Sequence, residues 1–101
     1  MNKFQEIIRG KKPVLIDFFA EWCGPCKMMN PILQEVKQTL KEDLIILKID
    51  VDKNAQLASV YQVRGVPTFL LFQEGKLLWR QSGMLHKEDL VSVIKEHTNI
   101  S

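Results

Sequence analysis

An α/β domain around one mixed sheet is the fold class the sequence predicts, and three patterns carry it. Val14-Leu15-Ile16-Asp17-Phe18-Phe19-Ala20 and Leu44 to Asp50 are nearly continuous apolar runs, as expected of strands covered on both faces. Between them, Cys23 to about Lys41 repeats its apolar residues at helical spacing, with Met29, Ile32, Leu33, Val36 and Leu40 on one stripe. Strand, crossover helix and strand within about 40 residues make a right-handed βαβ unit, so these two strands run parallel. Thr68 to Phe72 and Lys76 to Ser82 flank Gln73-Glu74-Gly75, a short turn whose glycine accepts positive φ, and they pair as an antiparallel hairpin.

The remaining elements follow in chain order. Phe4, Ile7 and Ile8 fall at i, i+3, i+4 and predict a short amphipathic helix over Asn2 to Arg9, ended by Gly10. Pro13 then starts extended chain. Asn54 to Tyr61 is a shorter helix. Lys87 to His97 forms the last one, with Leu90, Val91, Val93, Ile94 and His97 as a broad apolar face and Glu88 and Asp89 well placed in its first turn. His86 is a poor capping residue, so fraying is expected there.

Length and composition bound what such a chain does. With 101 residues, 46% hydrophobic and 26% charged, it is one ordinary domain over residues 1–101, large enough to fold without a metal or a staple. Repeats and low-complexity stretches are absent, and collagen-like, disordered and coiled-coil classes are excluded. The net charge is +2 and the basic residues are scattered apart from Arg9, Lys11 and Lys12, so neither nucleic acid nor an anionic membrane is an expected partner. No apolar run approaches a membrane span, and Met1 to Lys12 lacks the apolar core of a signal peptide. A cytoplasmic location is the default expectation, although a mature chain cloned after signal removal would also begin with an added Met.

Chemistry concentrates at Cys23-Gly24-Pro25-Cys26, where a buried strand has ended and a helix is starting. Two thiols at this spacing close a disulfide with little chain movement. As a staple the bond is poor: loop entropy gives a four-residue ring about 2 kcal/mol, against about 3 for a 15-residue loop. It is better suited to opening and closing. Cys23 sits where unsatisfied helix N–H groups and the positive dipole end favour a thiolate, which makes it the expected nucleophile. Cys26, pointing inward one turn on, has the higher pKa and is the resolving thiol. Pro25 suits the first helical turn and stiffens the ring, and Gly24 lets the backbone turn closely. The competing readings are half of a zinc site, two inert buried thiols and a purely structural bridge; zinc would need His86 and His97, 11 residues apart.

Asp17 is the one charged residue in the first strand. In a doubly covered segment its carboxyl loses hydration, holds a proton near neutrality and can then deprotonate Cys26. The alternative is a carboxylate hydrogen-bonded to a loop or helix start. Lys48, in the parallel strand, is either its partner in a buried, strongly coupled pair or a solvated edge charge.

Phe18-Phe19-Ala20-Glu21-Trp22-Cys23-Gly24-Pro25-Cys26-Lys27-Met28 closely resembles the active-site segment of thioredoxins. Pro31 falls where that family bends its helix, Arg64-Gly65-Val66-Pro67-Thr68 resembles the segment carrying its cis proline, and Gly75 and Gly83 match its later glycines. The resemblance implies a thiol–disulfide oxidoreductase that reduces protein disulfides. Cys23 attacks, and Cys26, helped by Asp17, releases the reduced client. It implies no bound cofactor and no metal, and re-reduction by a thioredoxin reductase drawing on NADPH, the chain acting as an electron carrier in redox homeostasis. Trp22, Val66, Pro67 and Gly83 are expected to rim the site, with the Val66 backbone offered to an extended client. Trp79 is read as packing.

Two departures stand out. Phe19 occupies a position where many thioredoxins have a second tryptophan, and the 12 residues before Pro13 read as helix, so the family's usual amino-terminal strand is not expected. The expected thioredoxin-like sheet therefore has four strands in order 2-1-3-4 with helices on both faces, and it leaves Leu44 to Asp50 as an open edge for weak self-association of an otherwise monomeric chain. Two other functions share these motifs: a disulfide oxidant or isomerase, if the Cys23 thiolate is strongly stabilised, and a non-catalytic binding subunit docking through Trp22, Val66 and Gly83.

Overall fold

The computed structural model describes residues 2–100. Strand β1 (Val14–Phe19) runs through the middle of the sheet, and its burial on both faces follows from its near-continuous apolar sequence. It pairs in parallel with β2 (Ile45–Asp50) in the register Val14 to Ile45 through Phe19 to Asp50. On its other side it pairs antiparallel with β3 (Thr68–Gln73), which in turn pairs with β4 (Lys76–Ser82). The order is β2-β1-β3-β4, as the sequence predicts. Glu74 and Gly75 both take positive φ, 54° and 81°, as a two-residue hairpin turn requires. One register irregularity at Leu71 and Phe72 has no signature in the sequence.

Side-chain alternation along β1 divides the core. Leu15 faces α2 (Gly24–Leu40) and α4 (Lys87–His97), packing with Met29, Leu33, Leu90 and Ile94. Val14, Ile16 and Phe18 face the opposite layer, against α1 (Lys3–Ile8) and α3 (Ala55–Val60). Six-residue helices are too short to hold their shape alone. Packing supplies what length does not: Phe4 meets Tyr61 and Phe72 at ring-centroid distances of 5.7 and 6.3 Å. The N–H groups of Glu74 and Gly75 donate to the Gly10 and Ile8 carbonyls, tying the hairpin turn to the end of α1.

Element boundaries agree with the sequence reading to within about a residue. Trp79 is half-buried against the core, as read. His86 makes no side-chain cap to α4, also as read. His97 departs from expectation: it is exposed at the last turn, its Nδ1 paired with the Val93 carbonyl, because the polar ring turns back along its own helix rather than into the core. Asp17 lies on the α2 face of β1, in register with Lys48.

β2 is an edge strand among the described residues. Ile45 and Val51 donate to the Pro13 and Phe19 carbonyls, at 3.0 and 2.9 Å, so alternation turns the backbone of Ile46 and Lys48 to the open side. Because Leu15 is fully buried between the sheet and two helices, Leu15→Ala should lower unfolding stability by about 2–5 kcal/mol in urea titrations. Leu77→Ala on the half-exposed β4 should cost under about 1 kcal/mol.

Candidate active site

β1 stops at Phe19, and the chain turns through Ala20 to Trp22 into α2, a turn closed by the Cys23 N–H on the Ala20 carbonyl at 3.2 Å. Cys23 is the N-cap of α2, in extended backbone conformation, and its Sγ accepts the Cys26 N–H at 3.2 Å. That is the work usually done by a Ser or Asp oxygen at this position. A thiolate accepts such a bond far better than a thiol or disulfide sulfur does, so the helix start favours the ionised form. Cys23 and Cys26 are joined by a disulfide with Cα atoms 5.3 Å apart, and both residues are buried. Pro25 sits in the first turn, where its missing N–H leaves nothing unsatisfied.

The cis Val66–Pro67 peptide lies on the other side of the pair. It presents the Val66 carbonyl 3.7 Å from the Cys23 Sγ, within reach of an S–H donor once the disulfide is open. Trp22 is 72% exposed, and its indole N–H donates to the Asp52 carboxylate at 2.9 Å. A shallow groove of about 120 Å³ runs between Trp22, Val51, Val63 and the Arg64 to Val66 segment. Asp52 escaped the sequence reading. The available signal was its position in the loop after β2, at the same sheet end as the cysteines, since β1 and β2 are parallel.

Asp17 is fully buried, and neither carboxylate oxygen has a hydrogen-bond partner. Burial pushes its pKa up to about 6, with the Lys48 charge pulling in the opposite direction. Of the two readings of Lys48, the buried pair with Asp17 does not form and the exposed edge charge is the one observed. Lys48 is exposed, and its ammonium donates to Asn30 Oδ1 and lies 4.7 Å from the centroid of the Phe19 ring. A flexible four-carbon stem lets the ammonium reach Asn30 at the surface instead of the buried carboxylate. A cleft of about 440 Å³ opens beside Cys26, lined also by Phe19, Asn30 and Lys48.

Two further expectations need correcting. Pro67 is buried rather than on the rim, because it opens β3, an interior strand of the sheet; Gly83, exposed at φ 95°, donates its N–H to the Pro67 carbonyl at 2.9 Å. Gly24 is not required by a tight turn: a Cβ there would meet no atom within 4 Å.

The two-cysteine ring closes at the start of a helix, where the chain has just left the sheet. Fold and site together define an α/β domain with a Cys-Gly-Pro-Cys pair at a strand-to-helix turn. The chain belongs to the thioredoxin family, whose model, described as Thioredoxin, matches residues 1–96. It is 45% identical over 100 residues to thioredoxin Y2, chloroplastic, of Arabidopsis thaliana, covering 98% of this chain and 60% of that protein. The chain thus spans about 60% of the length of such plant relatives. It is 43% identical over 89 residues to a thioredoxin of Acidithiobacillus ferridurans, covering 88% of this chain and 82% of that one. A solved mutant thioredoxin from Halobacterium salinarum NRC-1 superposes with a TM-score of 0.88 at 37% identity, covering 97% of this chain and 85% of that one.

Asp17 keeps its proton to higher pH when folded than when unfolded, so its contribution to stability is complete below about pH 4 and is lost as pH rises through about 6. A shift of about two pH units corresponds to about 3 kcal/mol. Asp17→Asn should therefore be more stable than the parent by about that amount at pH 8, the difference vanishing near pH 4 in urea titrations across the range.

Proposed function

We propose that the chain reduces disulfides of client proteins by dithiol–disulfide exchange, with Cys23 as nucleophile. The observation that carries this reading is the placement of the Cys23 sulfur as the cap of α2, beside the Val66 carbonyl. In the reduced chain the Cys23 thiolate attacks a client disulfide, forming one S–S bond and expelling the other client sulfur as a thiolate. Cys26 then gives its proton to the Asp17 carboxylate, about nine-tenths ionised at pH 7 for a pKa near 6, and attacks Cys23. The mixed disulfide breaks, and the client leaves with both electrons.

Recognition rests on the Val66 backbone and the Trp22 and Gly83 surface, with Pro67 acting beneath as support. Main-chain pairing tolerates many client sequences. Both electrons reside in the two cysteines, so the chemistry needs no bound cofactor. Re-reduction by a thioredoxin reductase, with NADPH used indirectly, makes the chain an electron carrier in cell redox homeostasis; family membership supports that role. A cytoplasmic location suits a dithiol that must be kept reduced. The chloroplastic destination printed for plant relatives is theirs.

Cys26→Ser tests the exchange. Incubated with cell extract, this variant should accumulate mixed disulfides through Cys23 that dithiothreitol releases, and Cys23→Ser should trap nothing and reduce client disulfides only at the uncatalysed rate. Partners retained equally by both variants would instead mark a docking protein.

We further propose that the monomer self-associates weakly through the β2 edge, supported by its three half-buried apolar residues Ile45, Ile46 and Leu47 and its lack of proline or bulge. An antiparallel pair centred on Leu47 sets Ile46 opposite the second copy's Lys48 and keeps the two lysines from facing each other. Sedimentation velocity should show the weight-average mass rising with concentration, and less so for Leu47→Lys. A concentration-independent monomer removes the idea.

A further inference from the structure

Lys48 and Asp17 stand opposite each other on adjacent parallel strands, with side chains on the same sheet face, about 4.8 Å apart at the backbone. A lysine so placed is within reach of the carboxylate. Yet among the described residues the one ion pair joins Lys53 to Glu21, at 3.6 Å on the surface, and Asp17 has no partner. The ammonium goes instead to Asn30 Oδ1, with the Phe19 ring beneath it.

Asn30 lies four residues beyond Cys26, and so on the same side of α2, and both line the cleft. We propose that Asn30 is a positioning residue for the proton step: its side-chain oxygen holds the Lys48 ammonium at the cleft mouth and so prevents that cation from pairing with Asp17. The consequence is chemical. A carboxylate neutralised by a lysine is a weaker base, whereas an unpaired buried one accepts a proton from Cys26 more readily. Asn30 acts through Lys48 and touches no reacting atom.

Other groups around Asp17 leave Lys48 as the cation able to do this. From α2 the cleft receives Cys26 and Lys27, and from the preceding turn Glu21; Lys27 and Glu21 are exposed. β2 adds Asp50, whose carboxylate accepts the Asp52 N–H at 2.8 Å, and β3 sets Phe69 opposite Asp17. α4 contributes Leu90 and Ile94 to this face of the core, and neither titrates. Lys48 is also the one charge that acts on the Asp17 pKa.

The proposal rests on Asp17 as the proton acceptor of the exchange reaction, and its test is kept separate from that reaction. The Asp17 carboxyl is titrated by carbon-13 NMR in the oxidised chain, where neither cysteine ionises. Asn30→Ala should free Lys48 to swing inward and lower the Asp17 midpoint by about one pH unit, the lower end of what a cation within 4–6 Å does to a carboxylate. Lys48→Met should raise the midpoint, and adding Asn30→Ala to it should change nothing further. A midpoint unmoved or raised by Asn30→Ala alone, or a shift that persists in the Lys48→Met background, overturns the role of Asn30. Either result leaves client trapping by Cys26→Ser as it was, so failure here is distinguishable from failure of the reductase reading.

Discussion

The N–H of Cys26 donated to the Cys23 sulfur joins the fold to its chemistry. A helix start needs an acceptor in the N-cap position, and here the only side-chain atom that meets the need is the one that reacts. The bond is worth little to a disulfide sulfur and considerably more to a thiolate. In the proposed mechanism a Cys23 thiolate keeps this cap in place, so exchange asks no rearrangement of the helix start. The length of α2 matters for the same reason. With Met29, Leu33, Val36 and Leu40 buried along its stripe, its first turn is held by packing that the sulfur does not have to supply.

Asp17 imposes the opposite demand. A carboxyl without a hydrogen-bond partner in a central strand costs about 3 kcal/mol once ionised, a large fraction of the 5–15 kcal/mol by which domains are ordinarily stable. β1 can carry this because Val14, Leu15, Ile16 and Phe18 around it are all fully buried and paired with strands on both sides. Local rules of burial are broken at one residue, at the level of the sheet from which the cysteine turn departs. Violations of this kind are expected where a site is built into a fold.

The fold was legible because the relevant signals are periodic. Continuous apolar runs, a helical stripe and a glycine turn survive any detail of packing, and they led to the observed elements and a mixed sheet; the strand order followed from the family resemblance. The cysteine site was legible for a different reason: its chemistry is local, confined to four consecutive residues at a strand-to-helix junction. What could not be read depends on where flexible or buried side chains end. Register placed Lys48 opposite Asp17, but the ammonium ends on Asn30, over the Phe19 ring. Pro67 belonged to the site, yet its burial follows from β3 being interior. Asp52 and Asn30 are ordinary polar residues whose importance comes only from the neighbour each one meets, Trp22 in one case and Lys48 in the other.

The two recesses beside the disulfide share no lining residue. The shallow groove bounded by Trp22 and Val66 lies on the Cys23 side, since Val66 is the residue whose carbonyl meets that sulfur; the other cleft is lined by Cys26 itself. In the proposed mechanism this division separates the traffic. A client arrives over Cys23 by backbone contact with Val66, while the proton of Cys26 leaves toward Asp17 on the side held open by Asn30 and Lys48. A bound client would then leave the proton route uncovered at the moment Cys26 must ionise. The geometry favours such an arrangement for a second reason. Held by Asn30, the Lys48 charge stays near enough to act on Asp17 without pairing with it, so the base is not neutralised by an ion pair.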